Sequence, residues 1–318
     1  MKKLLIGLIS SSLLFLVFAS PIYASDRTGT TGAQFLKIGV GARAAGMGEA
    51  FCGVADDINA LYWNPAGLSS IGERQATAMY ISWFQSINYG YLAYGQPAGN
   101  WGVFAGGVTY LTSGNIPQTT IDSDGNYVDE GKNFNAYDMA FSIGYARKMR
   151  GDISLGGAFK VISEKIEKES ATAFAVDIGA MFKGIRIGNG VLSIGLVVQN
   201  LGTQVKFMSR GDSLPIDIKL GSSYGLEFSQ INSSLTLALD LNYPLDNDFN
   251  ARFGGEFWYK GIVAVRLGYK TTTIKDINAL SGLSIGGGFR YQRYSIDYAW
   301  VPYGDLGSTH RISLIARL

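Results

Sequence analysis

The stretch PIDIKLGSSYGLE, residues 215–227, decides how the rest of the chain is read. Ile216, Ile218, Leu220, Tyr224 and Leu226 fall on one side of a period of two, and Asp217, Lys219, Gly221, Ser223 and Glu227 on the other. Such alternation marks a strand with one dry and one wet face, and its length suits a tilted crossing of a bilayer, about 9–11 residues. Residues 234–243 repeat it, with Leu235, Leu237, Leu239 and Leu241 against Thr236, Ala238, Asp240 and Asn242. Further copies occupy residues 136–146, 152–161, 174–182, 251–259, 263–269, 283–291, 294–300 and 311–318.

A soluble sandwich also alternates, so composition and connections carry the distinction. The 318 residues are 47% hydrophobic and 16% charged, with 42 glycines and a mean hydropathy of +0.12. Soluble domains carry about 25% charged residues. A helical membrane protein needs apolar runs of about 18–20 residues, and none occurs after residue 25. The spanning solution left is a closed barrel. The fold class is therefore all-β, a transmembrane antiparallel β-barrel of about fourteen strands counted from Gln75. Short turns at 149–151, 228–231, 260–261 and 292–293 contrast with longer polar connections at 112–134, 202–214, 271–281 and 302–309. Short periplasmic turns and longer outside loops are the habit of such barrels. Aromatic residues near strand ends, including Trp83, Tyr110, Tyr145, Tyr243, Trp258, Tyr259, Tyr269, Tyr291, Trp300 and Tyr303, fit girdles at the two interfaces.

If one face meets lipid, the other meets the lumen. The inward set is then Asp138, Lys160, Asp177, Lys219, Asp240, Arg252, Glu256, Arg266, Arg290, Asp297, Arg311 and Arg317. Charges of both signs on one face suit a network of ion pairs and water that stiffens the interior. Glycines inside strands, at 106–107, 156–157, 254–255 and 286–288, permit bends or close approach of another segment to the wall.

At the start, Met1-Lys2-Lys3, an apolar run over 4–19 and Ile22-Tyr23-Ala24 read as a signal peptide cleaved after Ala24. The division expected is 1–24 leader, 25–74 N-terminal segment and 75–318 barrel. Cys52 has no partner cysteine and lies too far along for a lipoprotein anchor. A net charge of +2 without a basic stripe gives no reason to expect nucleic acid. His310, near Ser308, Thr309 and Ser313, reads as a rim or lumen histidine rather than a general base. Asp122-Ser123-Asp124-Gly125-Asn126 lacks the bidentate acid of a calcium loop and reads as a turn. No His/Cys cluster supports zinc. No catalytic residues, metal or cofactor are expected.

Between leader and barrel lies GARAAGMGEAFCGVADDINALYWNPAGL, residues 41–68, compact and rich in small residues. Asp56 or Asp57 can cap a short helix reaching about Leu61, and Pro65 stops it. This stretch, with VPYGDLGSTHRISL at 301–314, resembles the PorV/PorQ family, itself similar to FadL-type outer-membrane transporters. The resemblance implies a fourteen-strand barrel in the outer membrane of a Gram-negative-type bacterium, in contact with its lipid. It also implies a hatch inside, marked by Asn64, Pro65 and Ala66 with Gly41, Arg43, Gly46, Met47, Gly48, Asp56 and Asp57. Two roles follow from it. One is passive uptake of a hydrophobic, fatty-acid-like small molecule, with Phe35, Leu36, Met47, Phe51, Leu61, Tyr62 and Trp63 as contacts. The other is type IX secretion, in which the barrel binds or shuttles exported protein through loops 112–134 and 202–214. Compact, moderate loops tilt the sequence toward uptake.

Overall fold

The fold was obtained as a computed structural model, which describes residues 29–84, 87–208, 210–271 and 279–318. The leader expected at 1–24 and residues 272–278 of one expected connection lie outside the described residues. The chain lays down β1 (Gln75–Ser82), β2 (Asn88–Pro97), β3 (Val103–Ile121), β4 (Tyr127–Lys148), β5 (Ile153–Ile166), β6 (Glu169–Ile187) and β7 (Gly190–Gly202). A small hairpin follows, β8 (Val205–Phe207) and β9 (Arg210–Asp212). Then come β10 (Asp217–Phe228), β11 (Ser233–Pro244), β12 (Asn250–Tyr259), β13 (Val263–Lys270), β14 (Leu283–Tyr291), β15 (Tyr294–Pro302) and β16 (Ser308–Arg317).

All except β8 and β9 join one closed antiparallel barrel of fourteen strands, in which β7 pairs with β10 and β1 closes on β16. The alternation explains the closure. In β10 the outward Ile218 is exposed while Lys219 and Gly221 are buried, and in β11 Leu237 is exposed while Asp240 and Asn242 are buried. Apolar side chains such as Phe104, Ile143, Phe159, Ile178, Leu267 and Ile312 cover the outside. No strand is left with an open edge across the bilayer.

Three expectations are corrected. Residues 112–134 are not a loop: β3 and β4 run on as a two-stranded ribbon, 19 and 22 residues long, to a tight turn at Asp122–Asn126. Both faces of the ribbon are wet above the membrane, so the alternation fades although the pairing continues. At the turn, Asp122 Oδ1 accepts the backbone N–H groups of Asp124 (3.0 Å) and Asn126 (2.8 Å), which is turn chemistry. Trp258 is not a girdle residue, because it is buried inside with the Arg290 guanidinium 4.3 Å from its ring centre. His310 lies on the outer face, where Nδ1 meets the Tyr298 hydroxyl at 2.6 Å; the lumen alternative for it does not apply.

A fourteen-strand barrel is too wide for its wall side chains to fill. Residues 33–71 fill it instead. They comprise helices α1 (Ala42–Gly46) and α2 (Ala60–Trp63), two 3₁₀ turns (Gln34–Lys37 and Pro65–Ser70) and tight bends. Nearly every apolar side chain here is buried, Met47, Phe51, Ile58 and Leu68 completely.

Candidate functional site

The hatch descends from the mouth with the longer connections to the start of β1 at the opposite rim. At the upper end Thr31 bridges to Ser213, and Lys37 Nζ lies 2.5 Å from Asp246 in the β11–β12 connection. Lys37 and the Thr31 hydroxyl hold the Asp246 carboxyl below the usual carboxylate range, although burial works the other way. At the lower end Leu318 N donates to Arg74 O.

Asn64, Pro65 and Ala66 form the pivot. Trp63 ends α2 because Asn64 turns extended, φ −160° and ψ 102°. Pro65 then opens the 3₁₀ turn, where its missing N–H is no loss. Asn64 Oδ1 accepts from Ala66 N at 3.2 Å, while Nδ2 donates to Cys52 O (3.2 Å) within the hatch and Ala180 O (3.3 Å) on β6. One amide thus satisfies a helix start, a hatch bend and a wall carbonyl. The expected cap at Asp56 or Asp57 takes another form. Asn59 precedes α2 without a side-chain cap, Asp57 accepts the Asn59 N–H at 2.8 Å, and both aspartates bind Arg43.

Arg43, in α1, grips Glu256 of β12 with Nε and Nη2, each at 2.8 Å, and reaches Asp56 (2.5 Å) and Asp57 (3.0 Å) with Nη1. Glu256 also takes Arg266 Nε at 2.7 Å, and Arg266 faces Asp297 at 2.8 Å. Glu49, absent from the sequence-based site, sits among Lys270 (3.2 Å), Arg252 (3.4 Å) and Arg311 (3.5 Å). Burial alone would raise its carboxyl, but Lys270, Arg252 and Arg311 hold it well below the usual range. Asp240 accepts the N–H groups of Phe51 (2.8 Å) and Cys52 (2.7 Å). Lys160 pairs with Asp177 at 2.7 Å, and Lys219 with Asp217 at 3.3 Å. Asp138, Arg290 and Arg317 point inward nearer the rims and are only half-buried.

Glycine lets the hatch touch the wall itself. A Cβ on Gly268 would lie 1.8 Å from Gly48 N, on Gly195 2.4 Å from Cys52 O, on Gly156 2.5 Å from Ala66 N, and on Gly254 2.6 Å from Met47 O. Gly46 meets Gly286 in the same manner, which accounts for two members of the small-residue motif. Gly41 takes φ +82°, a conformation that favours glycine, just ahead of α1.

The residues expected to contact ligand separate by depth. Met47, Phe51 and Trp63 are buried packing, with Trp63 Nε1 bonded to Val40 O at 2.9 Å. Leu36, Leu61 and Tyr62 border a void of about 10 Å³, close to the least space that holds one water. Phe35 instead lines an outward-opening cleft of about 480 Å³, with Ile38, Trp83, Leu111, Ile166 and Phe207. Asp138 and Glu164 stand in its wall. The sequence alternation that ends at Val161 leaves out Glu164, although Lys160, Ile162 and Glu164 share one face of β5.

A closed barrel with an apolar exterior and an internal hatch defines an outer-membrane protein of the FadL/TodX architecture. Solved structures agree: the Pseudomonas putida toluene transporter TodX superposes with a TM-score of 0.58 at 11% identity, covering 88% of this chain and 99% of that one. The Ralstonia pickettii toluene transporter TbuX gives 0.54 at 12%, covering 88% and 98%. The CymD monoaromatic hydrocarbon channel gives 0.54 at 11%, with the same coverage. At such identity the likeness is one of fold. A search of curated proteins gives no match. The sequence model described as "Type IX secretion system protein PorV" matches residues 22–246, and the chain belongs to that family. It is an outer-membrane barrel of a Gram-negative-type bacterium.

Proposed function

We propose that this barrel receives exported polypeptide at its outer mouth as a component of type IX secretion, with its lumen kept shut. The observation that supports this reading is the contrast between the two spaces. Ligand pockets run about 300–1,000 Å³; the lumenal void of about 10 Å³ falls far below that, whereas the outer cleft of about 480 Å³ lies within it. The void bordered by Leu36, Leu61 and Tyr62 is too small for a resident chain molecule. The projecting β3–β4 ribbon and the β8–β9 hairpin flank the mouth and supply surface for a polypeptide.

A photo-crosslinking amino acid at Leu111 or Phe207 in living cells tests this. Adducts with secreted proteins that carry the type IX C-terminal signal are expected. Intact secretion in a deletion strain that has lost long-chain fatty-acid uptake would overturn it. That second reading, uptake of hydrophobic small molecules, draws on one feature, the apolar lining of the same cleft. Saturable long-chain lipid binding by the purified barrel would favour it.

A further inference from the structure

The cleft carries one arrangement that stability does not explain. Asp138 on β4 and Glu164 on β5 are direct cross-strand partners, and both line the same wall. Like charges placed opposite each other in a sheet are destabilising. Neither carboxylate has a cation within 4 Å among the described residues. Two buried or half-buried lysines of the interior are committed elsewhere: Lys160 to Asp177 and Asn200, and Lys37 to Asp246. Lys165 lies over the Tyr137 ring. Asp212 on the β8–β9 hairpin adds a third negative charge near Glu164.

Glu164 is only 9% exposed, and the Ala33 N–H is the donor offered to it. Burial raises both carboxyls above the usual range, and Asp138 and Asp212 raise Glu164 further, so a positive charge seated beside the pair would bring it back to the ionised form. The described residues contain no group of three or more metal-ligating side chains, which points away from a metal ion. Around the pair, Phe35, Ile38, Trp83, Leu111, Ile166 and Phe207 offer apolar and aromatic surface. The complement of that wall is a cation on an apolar stem next to further apolar groups.

We propose that Asp138 and Glu164 form a recognition site for a lysine or arginine side chain of a polypeptide docked in the cleft, flanked by aromatic or aliphatic residues. The apolar rim buries the stem of the side chain, and the paired carboxylates accept its N–H groups. This rests on the polypeptide-receiving reading above and narrows it to segments with a basic residue among apolar ones.

The experiment uses the full barrel in lipid nanodiscs and two fluorescent probes. One is the acetylated, amidated peptide Gly-Phe-Arg-Phe-Gly; the other has citrulline in place of arginine. The arginine peptide should bind at least about tenfold more tightly, the worth of one charge-assisted pair. The preference should vanish in Asp138→Asn/Glu164→Gln. Equal binding of the two peptides would overturn the carboxylate site while leaving polypeptide docking standing. Binding of neither would overturn both. The double variant also separates recognition from architecture. With a like-charge pair removed, its thermal midpoint should hold or rise; a fall would mean that an internal partner already satisfies the pair, and the proposal would fail.

Discussion

Arg43 and Glu256 face each other fork to fork, two nitrogens on two oxygens at 2.8 Å, and join the hatch to the barrel wall. Such bidentate geometry is specific as well as strong. Arg43→Met should release the hatch locally, because Glu256 would keep only Arg266 and both Asp56 and Asp57 would lose their cation. Breaking one side of a buried pair costs about 3–5 kcal/mol. Arg43→Lys should recover part of this, since one ammonium cannot serve both oxygens in the same plane. Thermal unfolding of the purified barrel measures both variants; equal midpoints for wild type and Arg43→Met would refute the latch.

Glu49 makes the second latch, and its pH dependence has a definite sign. Its carboxyl is held below the ordinary value of about 4.3 by Lys270, Arg252 and Arg311 against the effect of burial. A depressed folded value means that the stabilisation is complete above the ordinary value and is lost only as pH falls through the folded one. Hatch closure should therefore persist at pH 4 in the wild type. Glu49→Gln should be looser at neutral pH, leaving the buried Arg252 and Arg311 and the half-exposed Lys270 without this anion. Conductance in planar bilayers as a function of pH reads both effects.

The wall glycines give a sharper test of whether the hatch is packed backbone against backbone. Gly268→Ala puts a methyl group 1.8 Å from Gly48 N, where no flexible side chain can yield. Overpacking of this kind costs about 1–3 kcal/mol and should displace the hatch. Gly287→Ala, whose nearest contact is Ala264 O at 3.8 Å, should be close to silent. Limited proteolysis of the hatch distinguishes them: faster cutting is expected in the first variant alone.

What the sequence disclosed follows from which surfaces are dry. Asp240 and Lys219 were legible as inward charges because leucines and isoleucines alternate with them on a lipid-facing side. Glu164 was not, since its outward neighbours Ser163 and Lys165 lie where the strand rises past the bilayer and the contrast between faces disappears. The same loss made the β3–β4 ribbon resemble a loop. Gly156, Gly254 and Gly286 could be read as sites of close approach, but nothing in a strand names the segment that approaches. Glu49 lay hidden because its three cations come from β12, β13 and β16, which only barrel closure brings together. Met47, Phe51 and Trp63 carry the composition of a ligand pocket, and packing occupies them instead.

The direction of the hatch sets which side of the membrane the cleft faces. The bridge between Thr31 and Ser213 and the contact of Lys37 with Asp246 fix the N-terminal side of the hatch at the mouth with the longer connections. If short turns face the periplasm, that mouth and its cleft face outward. Gly29→Cys should then react with a membrane-impermeant maleimide on intact cells, since Gly29 is exposed. Arg150→Cys, on the exposed β4–β5 turn, should react only after the outer membrane is permeabilised. The native Cys52 is fully buried and contributes no background. The reverse labelling pattern would turn the barrel over and leave the cleft facing the periplasm. Exported chains would then meet the hatch before the cleft, which the polypeptide-receiving role cannot accommodate.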